Sequence, residues 1–280
     1  MPKRISTARG RELGAGIRAA IAGAGMTARG AAEVMDWDEA KVSDVVNGKG
    51  GANLVEIAAL LGACRVKADE RAHLLGLHSE TGVVGWWQQH GVCSPIELRT
   101  VVENLAVAEA LTCWHTHAVP LFLQTADYMR EALRASATSP ADELEDRVQA
   151  GLAMQRLPRQ GTTRTFFIHE LALQLQVGGT EVQAGQLLHL MFMANRPNVE
   201  IRILPITRGA HAGLAGPFTL LTFPKYEPLV WVGTENSTLL AESRDAVAGY
   251  ETVVRALDAQ SLDEAESKDL LLRLHDVTKP

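Results

Sequence analysis

Cysteines are few in this sequence, and none has a neighbour at the spacing of a redox or metal-binding motif. The 280 residues include three cysteines, Cys64, Cys93 and Cys113, and no C-x-x-C pair. A disulfide framework needs a dense and paired set of cysteines in an oxidising compartment. We therefore expect reduced thiols and a cytoplasmic location.

Long apolar runs are also missing. No stretch reaches the roughly 18 consecutive apolar residues that a transmembrane helix needs. The basic start, MPKRISTARGRELG, lacks the apolar segment of a signal peptide. No long low-complexity tract occurs, and 46% of the residues are hydrophobic, which is enough to bury a core. The sequence predicts a soluble protein of one large or two ordinary domains with no membrane partner.

The charge is unevenly divided along the chain. The formal net charge is −6, whereas residues 1–63 hold slightly more basic than acidic side chains. Nucleic-acid binding draws much of its affinity from the neutralisation of phosphates by Lys and Arg. The asymmetry favours the N-terminal part for such a role, although an excess this small supplies little affinity.

The most informative segment is 26–49, MTARGAAEVMDWDEAKVSDVVNGK. It contains two short blocks of apolar residues at helical spacing, separated by Asp36-Trp37-Asp38. Thr27 and Asp38 are residue types that cap helix N-termini, and Gly48 suits a helix C-terminus. Two helices over 28–35 and about 39–47, joined by a few residues, form a helix-turn-helix. The alternative is a generic helical hairpin.

Further helices are predicted on both sides of this segment. An amphipathic helix covers 7–24, a fourth begins after the capping residue Asn53, and a fifth covers 68–77. The segment resembles the helix-turn-helix of the XRE (lambda-repressor-like) DNA-binding family, through Val42, Ser43 and Asn47-Gly48-Lys49. Five helices within residues 1–78 match that family in number and order. The resemblance implies an all-α five-helix DNA-binding domain.

The resemblance also implies which side chains meet double-stranded DNA. Positions facing the major groove are Glu39, Ala40, Ser43 and Asp44. Arg29 and Lys41 would lie near the DNA backbone. Thr27, Asn47 and Lys49 would bond its phosphates.

Some residues depart from the family pattern. Ala28 stands where the family usually has glutamine, and Asp44 where a basic or amide residue is common. Together with Asp38 and Glu39, Asp44 places carboxylates on or beside the surface that would meet phosphates. This chain is expected either to bind a cytosine-rich site tightly only as a dimer, or to bind DNA poorly.

Residues 79–93 form a predicted joint between two domains and hold Trp86 and Trp87 between glycines. After this joint, the sequence pattern changes from helices alone to strands and helices. Ser94-Pro95-Ile96-Glu97 has the pattern of a helix start, and that helix is expected to run to about residue 112. Predicted strands cover 113–119, 164–169, 199–206, 217–223 and 229–233. Predicted helices cover 125–135, 140–157, 181–194, 237–259 and 262–275. Residues 94–280 are therefore expected to form an α+β domain with a mostly antiparallel sheet.

Three blocks of this second part, 119–133, 147–156 and 198–223, resemble the C-terminal domain of a large actinobacterial group of XRE regulators. That group is described as antitoxin-like or WhiJ-like, and the domain has no assigned chemistry. The resemblance implies a cytoplasmic regulator that is often encoded beside a small partner protein.

Two groups of side chains could bind a metal ion or act in catalysis. Cys113, His115 and His117 alternate, so on a strand they would share one face as metal ligands, although no fourth ligand follows at a recognisable spacing. A polar outer strand face explains the same pattern. His169-Glu170 and His211 could form an acid–base pair in a cleft, or bind a ligand or partner under the glycine-rich loop 209–216. The simpler interpretation is a strand end, a helix start and a mobile loop.

The sequence thus predicts a dimeric, sequence-specific transcriptional regulator without enzymatic activity, cofactor or metal. Its C-terminal domain would dimerise and receive a signal from a small-molecule effector or a small protein encoded nearby. The alternative is an antitoxin-like protein–protein interaction module in which DNA binding is weak or lost.

Overall fold

The computed structural model describes residues 6–81, 85–93, 95 and 98–278, in two compact units. The first unit comprises the chain up to Trp86 with Arg99–Asn104 and Lys225–Glu227. The second comprises Trp87–Leu98, Leu105–Pro224 and Pro228–Pro280. The predicted boundaries at residues 78 and 94 stay a prediction. Within the described ranges, no helix has both the length and the apolar character needed to cross a membrane.

The first unit is built on five helices, as the sequence predicts. They are α1 Ala8–Gly23, α2 Ala28–Met35, α3 Glu39–Val46, α4 Leu54–Ala63 and α5 Ala68–Glu80. Each supplies one apolar stripe to a common core, and the fully buried members include Ile17, Ile57, Leu61 and Leu74. Polar caps fix the helix starts: Asn53 and Glu56 form a capping box at α4.

Three glycines bring α1 and the end of α3 into backbone contact. A Cβ atom on Gly14 would lie 2.6 Å from the Val46 carbonyl oxygen, and one on Gly10 would lie 2.5 Å from the Gly48 carbonyl oxygen. Gly48 also has a φ of +69°, which glycine adopts without strain. Larger residues would force α3 away from α1, so this approach sets the position of α3.

The second unit contains a seven-stranded sheet. Its strands are β1 Trp86–Gln89, β2 Ala110–His115, β3 Thr163–His169, β4 Val199–Leu204, β5 Phe218–Thr222, β6 Leu229–Gly233 and β7 Ser237–Ala241. Their order across the sheet is β1-β7-β6-β5-β2-β3-β4. The pairs β7–β6, β6–β5 and β5–β2 are antiparallel, whereas β2–β3 and β3–β4 are parallel. The predicted α+β class with a mostly antiparallel sheet is confirmed.

Further helices follow α5 in the chain, and all of them except the first part of α6 belong to the second unit. They are α6 Arg99–Val107, α7 Ala126–Ala135, α8 Leu144–Arg156, α9 Glu170–Gln174, α10 Gly179–Met193, α11 Arg244–Gln260 and α12 Glu264–Thr278. Short 3₁₀ segments cover Leu121–Leu123, Ala141–Glu143 and Ile206–Arg208. One sheet face buries Trp114, Phe218 and Val230 against Val247 and Leu257 of α11.

Several elements differ from the sequence-based expectation. Residues 237–241 form β7 rather than the start of a helix, because they complete the sheet beside β6. The helix expected to reach residue 112 ends at Val107, and Ala110 already pairs with β3 and β5. Ser94, Ile96 and Glu97 of its expected start lie outside the described residues. Within the predicted joint, Trp86–Gln89 form β1 at the sheet edge.

Gly14→Ala should destabilise the first unit, because the new methyl group would overlap the Val46 backbone. We expect the free energy of unfolding to fall by about 1–3 kcal/mol, the usual effect of overpacking. Urea-induced unfolding followed by circular dichroism measures it.

The matched control is Gly76→Ala, since Gly76 lies inside α5 and a Cβ atom there has nothing within 4 Å. That change should raise the free energy of unfolding by roughly 0.5–1 kcal/mol through helix propensity. Equal effects of the two changes on the free energy of unfolding would contradict the close approach of α1 to the end of α3.

Candidate nucleic-acid interface

Side-chain caps define both helices of the α2–α3 pair. Thr27 Oγ1 accepts a hydrogen bond from the Gly30 N–H at 3.0 Å, and Asp38 Oδ1 accepts one from the Lys41 N–H at 2.5 Å. Between the helices, Asp36 adopts the left-handed conformation with φ 52°, which aspartate tolerates better than most residues. The chain therefore turns sharply and starts α3 in a fixed direction.

The outer face of α3 carries the side chains predicted to face a groove. Val42 and Val45 are buried in the core, which leaves the opposite side of the helix outside. Glu39, Ala40 and Ser43 are exposed there, and Asp44 is half-buried. The structure thus brings the four predicted groove-facing residues onto one short helix with an accessible face.

Ser43 and Asn47 are bonded to each other. The Asn47 amide donates to the Ser43 carbonyl oxygen at 2.7 Å and lies 3.4 Å from the Ser43 hydroxyl oxygen. Ser6 donates from its hydroxyl to the Asn47 carbonyl oxygen at 2.9 Å. The side chain of Asn47 therefore closes the C-terminal turn of α3, and its NH₂ group must share its donors with any phosphate.

Lys41 is held by an acidic and an aromatic partner. Its Nζ atom lies 2.5 Å from Glu56 Oε1 and 4.6 Å from the centre of the Trp37 ring. The hydrogen bond from Lys41, with another from the Asn53 N–H, holds the pKa of Glu56 below its ordinary value of 4.5. The Lys41 ammonium group is therefore already paired with a carboxylate inside the unit.

Two other cations near this surface are also engaged. Arg29 pairs with Glu33 one turn later in α2, at 3.2 Å and with both side chains exposed. Arg18 of α1 donates to the Val46 carbonyl oxygen at 2.5 Å, which satisfies the C-terminal end of α3. Lys49 is half-buried, and among the residues that the structure describes it has no ion-pair partner.

Sequence reasoning missed Arg18, Trp37 and Glu56 as residues of this surface. Glu56 lies 15 positions after Lys41, and Arg18 lies 28 positions before Val46. No local pattern links residues that far apart. The capping pattern Asn53-x-x-Glu56 is visible in the sequence, but it gives no sign of the second partner, Lys41.

The predicted metal-ligand trio is not assembled. Cys113 is buried against the Thr219 hydroxyl at 3.3 Å, and burial raises the pKa of its thiol to about 12. β2 ends at His115, so His117 lies beyond the strand, where its Nδ1 atom contacts the Thr116 hydroxyl at 2.8 Å. Within the described part of the chain, no group of three His, Cys, Asp or Glu side chains could hold a metal ion.

The structure does bring His169 and His211 together. Their ring centroids lie 5.2 Å apart, and both rings meet the buried Trp114 edge-on. His169 Nδ1 accepts from the Leu171 N–H at 3.1 Å, and His211 Nδ1 accepts from the Gly213 N–H at 3.2 Å. Each neutral ring therefore carries its proton on Nε2. Burial lowers the pKa of both imidazoles, and for His211 the neighbouring His169 adds to that effect.

This tautomer does not favour acid–base chemistry between the two rings. Both histidines present an Nε2–H donor, so neither offers the other a basic nitrogen. Glu170 begins α9 and accepts a hydrogen bond from the Ile206 N–H at 2.9 Å, so it too has a structural partner. The pair is better suited to binding an acceptor than to moving a proton.

The half-buried His115 should make the free energy of unfolding depend on pH. Burial, reinforced by the charge of His117, lowers the pKa of His115 from 6.5 to about 4. Between these values the unfolded chain binds a proton at this position and the folded chain does not, so the free energy of unfolding falls as pH is lowered. His115→Phe should remove this component, which urea unfolding at a series of pH values would measure. An NMR titration placing the His115 imidazole near pH 6.5 would contradict the assignment.

Two protein families match separate parts of the chain. Residues 12–74 match the family described as Helix-turn-helix domain, and residues 98–273 match Domain of unknown function (DUF5753). No curated protein matches the sequence. Among solved structures, TrmBL2, an archaeal chromatin protein reported with a novel mode of DNA binding, aligns over 85% of this chain and 88% of its own, with 11% identity and a TM-score of 0.31. A similarity that low supports no conclusion about fold or function. Because residues 98–273 make up well over half of the sequence, the chain belongs to the DUF5753 family.

Proposed function

We propose that this protein is a cytoplasmic, sequence-specific DNA-binding transcriptional regulator that acts as a dimer. The observation that carries the proposal is the α2–α3 pair, whose second helix exposes Glu39, Ala40 and Ser43 within a region matched by the helix-turn-helix family. In such pairs the second helix enters the major groove and its first residues touch base edges.

The chemistry of α3 indicates what it would read. Glu39 can accept from a cytosine amine, Ala40 can pack on a thymine methyl, and Ser43 can bond several bases. Asp44, on the same helix, disfavours a nearby phosphate. Thr27, Asn47 and Lys49 would bond phosphates, with Arg29 and Lys41 beside the backbone.

Internal ion pairs limit the affinity of one such unit. Lys41 already pairs with Glu56 and Arg29 with Glu33, so both cations must exchange a carboxylate for a phosphate on binding. Few counterions would be released per unit, and a single half-site would be held weakly. Two copies of the first unit, one on each half of a two-fold symmetric site, would bind DNA more tightly than one copy, which is why we propose a dimer.

The second unit offers apolar surface for dimerisation or partner binding. α10 and α12 pack against each other. Large apolar side chains that remain exposed on them are Leu188, Phe192, Leu272 and Val277. We propose that this unit joins two chains and receives the signal, either from a small molecule or from a small partner protein.

DNA binding itself is tested by fluorescence anisotropy with the chain's own upstream DNA at two salt concentrations, and with unrelated DNA as control. Lys49→Ala and Lys41→Ala should weaken binding to every sequence and flatten the log–log salt dependence by about 0.9 per lost phosphate contact. Lys67→Ala, an exposed lysine at the start of α5, is the matched charge control. No preference for the upstream DNA, or equal losses in all three variants, would refute the proposal.

Glu56→Gln should strengthen DNA binding. Glutamine can still accept the Asn53 N–H of the capping box, whereas it no longer neutralises Lys41. We expect a gain of about twofold to tenfold at low salt that shrinks as salt is added, because the freed charge is screened. The same anisotropy titration measures it. Weaker or unchanged binding would mean that Lys41 serves only the fold.

The internally neutralised cations also favour a second candidate function. If the first unit has lost productive phosphate contacts, the protein is an antitoxin-like interaction module that holds a small protein encoded nearby. Co-purification with that protein would then survive Lys41→Ala and Lys49→Ala, and upstream DNA would show no specific binding.

A further inference from the structure

The strands β2, β3 and β4 run parallel, so their carboxyl ends meet at one edge of the sheet. β2 ends at His115 and β3 at His169. The connection from β4 to β5, residues 205–217, passes this edge, because its Gly213 carbonyl oxygen accepts a hydrogen bond from Trp114 Nε1–H at 2.9 Å. In open sheets with parallel strands, ligands bind in the crevice outside the carboxyl ends. A ligand site in the second unit is therefore expected at this edge.

The rings of His169 and His211 meet at this edge in fixed orientations. Each Nδ1 atom accepts a hydrogen bond from the backbone N–H two residues later, at 3.1 Å for His169 and 3.2 Å for His211. Both rings also lie edge-on to the Trp114 ring, with centroid distances of 6.3 and 5.2 Å. A Cβ atom on Gly213 would lie 2.3 Å from Trp114 Nε1, so glycine allows the connection to come this close. The remaining ring nitrogen, Nε2, carries the proton in both neutral histidines.

The two Nε2–H groups are donors with access to solvent. Neither Nε2 atom has a hydrogen-bond partner in the described part of the chain, and neither is fully buried. Partial burial lowers the pKa of both imidazoles, so both rings are mainly neutral at pH 7. Since the ring centroids of His169 and His211 are 5.2 Å apart, the two donors lie close enough to bond one small group. The structure thus places two neutral donors side by side on an accessible surface.

One acidic and one basic residue belong to the segments that carry the two histidines. Glu170 follows His169, and its two carboxylate oxygens accept hydrogen bonds from the Ile206 N–H at 2.9 Å and from the Gln174 side chain at 2.8 Å. Arg208 lies on the 3₁₀ segment that begins at Ile206, is exposed, and has no ion-pair partner among the residues that the structure describes. The carboxylate present is thus already bonded, whereas the cation is available. An acidic ligand fits this balance better than a basic one.

Large apolar side chains are exposed next to the histidine pair. Leu171 is 47% exposed, Ile206 41% and Leu214 68%. The backbone N–H of Leu171 is the group that bonds His169 Nδ1, and the Leu214 N–H donates to the His211 carbonyl oxygen at 3.4 Å. Apolar surface therefore adjoins both donors. A ligand with an apolar body would remove part of this surface from water, which favours binding.

We propose that His169 and His211 bind the carboxylate of a small organic acid, each Nε2–H donating to one carboxylate oxygen, while the apolar body of the acid packs on Leu171 and Leu214. A carboxylate has two acceptor oxygens and, being ionised, forms stronger hydrogen bonds than a neutral carbonyl group. A metal ion does not fit, because each ring would have to give up its Nε2 proton and with it the hydrogen bond to Nδ1.

The acid is an effector only insofar as the regulator proposal holds, so this inference rests in part on that proposal. Binding of the acid itself is independent of DNA and is measured without it.

The probe for the test is 4-fluorophenylacetate, titrated into the full-length protein at pH 7 and followed by ¹⁹F NMR. Two analogues control for the chemistry: 4-fluorophenylacetamide lacks the charge, and fluoroacetate lacks the apolar ring. We expect saturable binding of 4-fluorophenylacetate, about tenfold tighter than that of either analogue. Equal affinity for the acid and its amide, or no saturable binding of the acid, would overturn the proposal.

Two variants locate the site. In His169→Asn and His211→Asn, the asparagine oxygen can accept the backbone N–H that now bonds Nδ1, whereas the Nε2–H donor is lost. Asparagine also suits position 169, which caps α9. Each change should weaken binding of 4-fluorophenylacetate about tenfold. His189→Asn, at a half-buried histidine within α10, is the matched control and should leave the affinity unchanged.

Histidine-ring ¹⁵N NMR of the unaltered protein gives a second measurement that needs no variant to fold. It should show His169 and His211 protonated on Nε2, and both Nε2 signals should move as 4-fluorophenylacetate saturates the protein. Binding that leaves these signals in place, or that is insensitive to both asparagine variants, would put the probe elsewhere and overturn the proposal. A protein that binds the acid but shows no preference for its upstream DNA would refute the regulator proposal alone.

Discussion

The backbone contact between α1 and the C-terminal end of α3 is the constraint on which the first unit depends. Because Gly10, Gly14 and Gly48 have no side chains, the two backbones meet directly. The hydroxyl of Ser6 and the guanidinium of Arg18 satisfy carbonyl groups at that end of α3. With one end of α3 fixed in this way and its valines buried in the core, the opposite face of the helix stays exposed for a partner.

In the first unit, two cationic side chains are paired with carboxylates of the same unit. Lys41 with Glu56, and Arg29 with Glu33, form pairs that a DNA phosphate would have to replace. Lys41 is only 25% exposed and also lies over the Trp37 ring, so it is the more strongly held of the two cations. These pairs leave little unpaired positive charge from Lys41 and Arg29 on the surface of the helix-turn-helix. In the proposed function, affinity for DNA would then depend on joining two copies of the first unit rather than on the charge of one copy.

The second unit combines two ways of pairing strands. β2, β3 and β4 run parallel with helices between them, whereas β5, β6 and β7 follow one another as antiparallel neighbours. The two halves join where β5 pairs with β2, and this junction places His115 and Trp231 on one sheet face although they are 116 positions apart in the sequence.

The sequence by itself determined the five helices of the first unit, since caps such as Thr27 and Asp38 and the apolar spacing of 3.6 act within a few residues. It also determined the α+β class and the exposed face of α3. Only the tertiary structure decided that residues 237–241 form a strand, because pairing with β6 overrides a local helical pattern. It likewise decided which residues pair with Lys41 and that the rings of His169 and His211 lie side by side. Lys41 and its partner Glu56, and the two histidines, are many residues apart in the chain, and local sequence periodicity does not predict such contacts.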